Sequence, residues 1–245
     1  MDAGISRNPS GGGLHGQDYY TDMAKSSDLL GKTGKRKTQW VKSGIKSTNQ
    51  IKLSLERKPA IFALLCFNHM KMNNVRRIWE LGAGHVRDTT LFASNGIEVE
   101  AVDYSIVAIQ ILDKITKEKR LPITPRIFDV RRALPFPDSY FDAVYSHMLL
   151  NMRFSLDELH FLFSEIRRVL KRKGFNFFSV RNYNDKSYGE GVQIDKGIYD
   201  INGFQVRFFT EKEMQDLMEG FEILWMGEEN EESVICILYS ARKWE

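Results

Sequence analysis

Glu80, Gly82 and Gly84 stand together in the run Ile78-Trp79-Glu80-Leu81-Gly82-Ala83-Gly84-His85. The spacing sets a carboxylate at the end of a short apolar segment and two glycines just past it. Glycine permits a sharp backbone bend and lets a ligand come close, because it has no side chain in the way. A helix that begins directly after such a turn offers unpaired N–H groups to whatever sits there. This is the layout of a nucleotide-type site in an open α/β sheet. A pyrophosphate fingerprint puts a third glycine at position 87, where this chain has Arg87. A carboxylate at the strand end also repels a pyrophosphate and suits a cation such as an α-amino group. Asp103 follows Gly82 by roughly 20 residues, the separation at which an acid takes ribose hydroxyls. Asp129 closes the next apolar segment, where it can accept from an adenine amino group. An ammonium, a ribose diol and an adenine without phosphate describe S-adenosylmethionine.

The elements that must position these residues alternate. Strands are expected over 77–81, 98–103, 122–129, 141–146 and 175–180. Helices are expected over 85–95, 105–119 and 155–171, with Ser105 as an N-cap. A further helix begins near Pro59. Gly174 is expected to end the 155–171 helix. A long polar loop is expected from 181 to 207. Thr210 with Glu213 reads as a capping box for a helix over 210–218. Strands over 221–226 and 233–241 flank the acidic run GEENEES, most simply as an antiparallel pair around a solvated turn. Alternating strands and helices predict an α/β fold with a parallel sheet covered on both faces.

The pieces ELGAGHVRD, EVEAVDYS, DVRRALPFPDSYFDAVYSHMLLNM, EIRRVLKRKGFNFFSV and RFFTEKEMQDLMEGFEIL occur in that order. In them the chain resembles the class I S-adenosylmethionine-dependent methyltransferases of the broad small-molecule group, from about Arg77 to Arg242. The resemblance implies a doubly wound, seven-stranded Rossmann-like sheet of order 3-2-1-4-5-7-6 with the last strand antiparallel. It assigns Glu80, Gly82, Ala83 and Gly84 to the methionine part of the cofactor and Asp103 to the ribose. Tyr104 falls beside the ribose or adenine, and Asp129 with Val130 at the adenine. Ser146 and His147, after the fourth strand, fall near the transferred methyl. The family usually carries a third glycine where this chain has Val86, a position that packs the helix against the turn.

Methyl transfer from a sulfonium requires mainly positioning, and a base only when the nucleophile is protonated. His147 is the candidate base or substrate contact; a structural histidine at the strand end is the alternative. Arg181-Asn182-Tyr183 form a second candidate wall, and the segment running on to Phe209 is either a lid or a surface insertion. Arg87 opens a helix, where the dipole does not favour a cation, so it is expected to face a carboxylate of protein or substrate. Asp18-Tyr19-Tyr20 and Trp40 suit either a cover for the sulfonium or plain packing.

The 245 residues are expected to divide into a Gly/Ser-rich tail, 1–16, a basic arm, 17–58, and the methyltransferase domain, 59–245, with an insertion over 181–209. Net charge is only +3, yet Lys25 to Lys58 holds ten Lys/Arg against Asp28 and Glu56. That arm is a solvated face or a contact for a phosphate backbone. An RNA or tRNA substrate bound through residues 25–58 therefore stands beside a small-molecule acceptor. A non-catalytic protein that binds the cofactor is a third reading. No Asn/Asp-Pro-Pro-aromatic motif follows the fourth strand and no Pro-Cys nucleophile is present, which lowers the weight of nucleic-acid base chemistry. Cys66 and Cys236 sit in apolar runs and read as buried small hydrophobes, so no metal site is expected. No secretory core and no membrane-length apolar run appear, and a cytoplasmic location is expected.

Overall fold

The computed structural model describes residues 58–84, 86–231 and 234–244. The basic arm up to residue 57, with Asp18, Tyr19, Tyr20 and Trp40, and also His85, lie outside the described residues. Among the described residues, helices α1 (Ile61–Met72), α2 (Arg87–Ser94), α3 (Ile106–Lys119), α4 (Leu156–Val169) and α5 (Glu211–Leu217) accompany ten strands. These are β1 (Arg77–Leu81), β2 (Glu98–Asp103), β3 (Ile123–Ile127), β4 (Phe141–Ser146), β5 (Leu170–Arg181), β6 (Val192–Asp195), β7 (Ile198–Ile201), β8 (Phe204–Arg207), β9 (Phe221–Glu231) and β10 (Val234–Lys243).

Seven strands form one sheet in the order β3-β2-β1-β4-β5-β10-β9. The first five are mutually parallel, and β10 runs antiparallel to both β5 and β9. This is the expected topology. Alternation along the strands splits the apolar residues between two faces. Ile78, Val99, Tyr145 and Phe177 pack with α1, α2 and α3. Trp79, Val102, Val144 and Phe178 pack with α4 and α5. The C-terminal ends of β1, β2, β4 and β5 therefore share one edge of the sheet; the register (Glu80↔Tyr145, Leu81↔Ser146, Ser146↔Phe178) sets the ends of β1 and β4 level, and β5 runs on past them to Arg181.

Local signals account for the helix starts. The Ser105 hydroxyl accepts from Ala108 N–H, and Ser155 and Thr210 each form a full capping box, with Glu158 and Glu213. Strand β3 ends at Ile127, two residues short of Asp129, and four further boundaries differ from expectation. Helix α2 begins at Arg87 because Val86 adopts a left-handed conformation, φ 60°. Helix α4 ends at Val169, and Gly174 lies inside β5, where a Cβ would meet Asp142 O at 3.1 Å. The acidic run is mostly paired strand rather than a turn, since Glu228 to Glu231 pair with Ile237 to Val234.

The fourth difference is the largest. The segment expected as a polar loop holds a second, antiparallel sheet, β6-β7-β8. Its β7–β8 connection is Asn202-Gly203, both at positive φ, a primed two-residue hairpin turn. Tyr199, Val206 and Phe208 give it a small core of its own. The insert is tied down where Phe209 N–H donates to Arg181 O and where Arg207 N–H donates to Asn151 O.

Candidate functional site

The strand–turn–helix unit at β1 is stitched to β2 by its backbone. Gly82 and Ala83 N–H both donate to Val102 O, at 2.8 and 3.0 Å. Gly82 has φ 72° and Gly84 φ 42°. A Cβ on Gly82 would stand 3.1 Å from Leu149 Cδ1, so this glycine also makes room for the chain leaving β4.

Three carboxylates meet around this turn. Asp103 is buried and accepts from Gly84 N–H at 2.9 Å and Ser105 N–H at 2.7 Å, one on each oxygen. Burial raises its pKa, and these backbone donors oppose the rise. Asp88, in the first turn of α2, accepts from Ala60 N–H at 2.9 Å and from the Tyr145 hydroxyl at 2.8 Å. Arg87 Nε lies 3.5 Å from Asp88 Oδ1, so the carboxylate it faces belongs to the protein. Glu80 is different. It is 3% exposed, and its Oε2 is buried without a hydrogen-bond partner. Burial pushes the Glu80 pKa well above the usual carboxylate range; the neighbouring Thr89 hydroxyl opposes the rise, and the charges of Asp88 and Asp103 add to it.

Beyond β3, Asp129 is held by Arg131, through Nε at 2.9 Å, Nη2 at 2.7 Å and the backbone N–H at 3.1 Å. That ion pair keeps its carboxyl below the ordinary range. Val130 is buried with Trp79 and Val102, and the Tyr104 hydroxyl is raised by burial and by Asp103. Phe128 N–H donates to Asp103 O, which brings this segment to the same edge.

At the end of β4, Ser146 is buried and Met148 carries a positive φ of 61°. His147 Nδ1 is 2.8 Å from Ser179 Oγ, and Met148 N–H donates to the same oxygen at 2.9 Å. The His147 ring lies 5.7 Å from that of Phe62 on α1. The sheet edge thus gathers Glu80, Gly82, Ala83, Gly84, Asp103, Tyr104, Asp129, Val130, Ser146 and His147. Two residues outside that set tie its surroundings together: Asp88, an acid in the first turn after the glycines, which bonds Ala60 and Tyr145, and Ser179, a lone hydroxyl in the apolar run FNFFSV, which bonds His147 and Met148. Cys66 is buried on α1 with its thiol pushed up by burial and by Asp88. Among the described residues no group of three or more His, Cys, Asp or Glu is arranged to hold a metal, and no helix is long and apolar enough to cross a membrane.

Residues 79–178 match the family model described as methyltransferase domain. That match covers about two fifths of the chain, and the sheet order is that of the Rossmann-like methyltransferase fold. Solved structures share the fold. A SAM-dependent methyltransferase from Methanosarcina mazei has 21% identity and TM-score 0.63, over 71% of this chain and 97% of that one. A SAM-dependent methyltransferase from Clostridium acetobutylicum has 15% identity and TM-score 0.64, over 75% and 91%. The 1,6-didemethyltoxoflavin-N1-methyltransferase of Burkholderia thailandensis, solved with its substrate and S-adenosylhomocysteine, has 17% identity and TM-score 0.60, over 100% and 94%. No curated protein matches the sequence.

Proposed function

We propose that this enzyme methylates a small-molecule acceptor at the edge between β1 and β5. The observation that carries the reading is Glu80: a buried carboxylate oxygen with no partner, beside a glycine turn, is a receptor for a cation. The residues fit the cofactor. Glu80 receives an ammonium group, Gly82 and Gly84 give close backbone access, and Asp103 fixes the turn from the ribose side. When bound, the cofactor supplies a methyl group already activated as a sulfonium. The chain's contribution is placement and exclusion of water.

His147 stands where an acceptor proton is lost. When its Nδ1–H donates to Ser179 Oγ, Nε2 carries the lone pair and can take that proton. The opposite arrangement, Ser179 O–H donating to Nδ1, leaves His147 as a hydrogen-bond donor to the acceptor.

Calorimetric titration with S-adenosylhomocysteine tests the reading. Micromolar binding is expected, weakened at least tenfold in Glu80→Gln; absence of binding to the wild type overturns it. The basic arm supports a second reading, an RNA acceptor. RNA retention that collapses between low and moderate salt favours that reading, and retention independent of salt removes it.

A further inference from the structure

Side chains two apart on a strand share a face. On β5 that face carries Phe175, Phe177, Ser179 and Arg181. Phe175 and Phe177 belong to the core under α1, and Ser179 meets His147. Arg181 is therefore the next residue outward on the face that carries His147's partner. Its root is rigid, because Arg181 O accepts from Phe209 N–H of the insert and Cys236 pairs with it from β10. Yet its Nε is fully buried and hydrogen-bonds to nothing, and Arg181 has no ion pair among the described residues.

An unsatisfied, buried N–H on a permanent cation is costly unless a ligand completes it. Nε–H and the neighbouring Nη–H form the side-on fork that matches two oxygens of a carboxylate or phosphate. Charge is also ordered along the edge. Asp103 and Glu80 lie on β2 and β1, His147 follows β4, and Arg181 ends β5. Glu80 is level with Tyr145 and Phe177, so Arg181 stands two strands across, about 10 Å, and four residues, about 13 Å, further along β5, beyond His147. The acidic end suits the cofactor's ammonium, and the cationic end faces what remains, the acceptor.

We propose that Arg181 binds an oxyanion of the methyl acceptor, a carboxylate or a phosphate, and so holds the acceptor beside His147. This rests on the methyl-transfer reading. The test titrates the full chain with benzoate, phenyl phosphate and neutral benzamide, with and without S-adenosylhomocysteine. The readouts are affinity and the Nε–H nuclear magnetic resonance of Arg181, assigned by its loss in Arg181→Lys. The expected result is that at least one oxyanion binds and shifts this resonance while benzamide does not. Arg181→Met is expected to lose at least tenfold in affinity for that oxyanion, and Arg181→Lys less. Preference for benzoate or phenyl phosphate tells carboxylate from phosphate. If neither anion moves the resonance, or if Arg181→Met binds as the wild type does, the proposal is overturned. Should Arg181→Met fail to fold, the wild-type resonance decides. Anion binding without S-adenosylhomocysteine binding removes the methyl-transfer reading and keeps the anion site; the reverse removes the role of Arg181 alone.

Discussion

The two halves of the sheet edge treat their charged side chains differently. At the β1–β2 corner the carboxylates Asp88 and Asp103 each have both oxygens engaged, by backbone N–H groups and the Tyr145 hydroxyl, although Trp79 Nε1 and Thr89 Oγ1 are buried there without partners. Across β4 and β5 the pattern is mixed. Ser179 serves His147 and Met148, but Arg181 Nε and both side-chain atoms of Asn176 are buried without partners. Glu80 lies on the boundary, one strand from each. The difference separates two duties: a satisfied polar group holds the site together, and an unsatisfied one either awaits a ligand or burdens the fold.

The sharpest way to break this comparison is Asp88→Ala. It strands two buried donors, Ala60 N–H and the Tyr145 hydroxyl, and unpins the start of α1 from α2. Hydrogen bonds to a charged group contribute about 1.5–3 kcal/mol each, so a loss of about 3–5 kcal/mol is expected. Chemical denaturation measures it. A loss below about 1 kcal/mol would mean that Asp88 is not the pin it resembles.

Glu80→Gln is expected to act in the opposite sense on stability. The folded-state pKa of Glu80 is raised, so folding holds its proton more tightly than the unfolded chain does. Stability of the wild type therefore falls as pH rises from the ordinary carboxylate range toward the raised value. Gln has no proton to lose, so Glu80→Gln without cofactor is expected to melt higher than the wild type, by a margin that widens from about pH 4.5 upward. Its cofactor affinity falls at least tenfold, about 1.4 kcal/mol. Melting curves across pH check the first part; a margin that shrinks with rising pH would show that Glu80 is held ionised.

Legibility followed the same division. The β1–β2 corner was readable because its parts are linear: an acid, two glycines and an acid about 20 residues on, each ending a predicted strand. The sheet order was readable through the ordered set of five sequence pieces. Asp88 was visible only as an acid in a helix's first turn, since its partners, Ala60 and Tyr145, come from distant segments. Ser179 and Arg181 acquire meaning only when β4 and β5 pair in register, which no local pattern specifies. The insert is another matter. Its Asn202-Gly203 turn is a strong hairpin signal, overridden by the polar composition around it.

Asn176 tests the costly side of the comparison. It is 1% exposed, on the α4 face of β5, with neither Oδ1 nor Nδ2 bonded. Asn176→Val removes two unsatisfied groups and suits a strand by its branching. A gain of about 1–2 kcal/mol is expected by denaturation, with cofactor affinity unchanged. A loss of stability would mean that the amide has a partner in solution, and the contrast between the two halves would narrow.

Val86→Gly is expected to have a small effect, and it extends the comparison from side chains to backbone. Val86 occupies the place where the family usually has glycine, and it sits at φ 60°, ψ 0°, with its side chain buried. A left-handed conformation costs an ordinary L-residue about 1–2 kcal/mol, and a β-branched residue is a genuine outlier there. Glycine removes that strain. It also gives up about 1.5–3 kcal/mol from burying the isopropyl group, and glycine's own unfolded-state freedom adds roughly 0.5–1 kcal/mol against folding. The terms partly offset, so a net loss of roughly 0–3 kcal/mol is expected. Val144→Gly, within β4, has no strain to relieve and is expected to lose clearly more. If the two variants lose equally, Val86 is relaxed in solution, and the turn that carries Gly82 and Gly84 differs in its last residue from the one described.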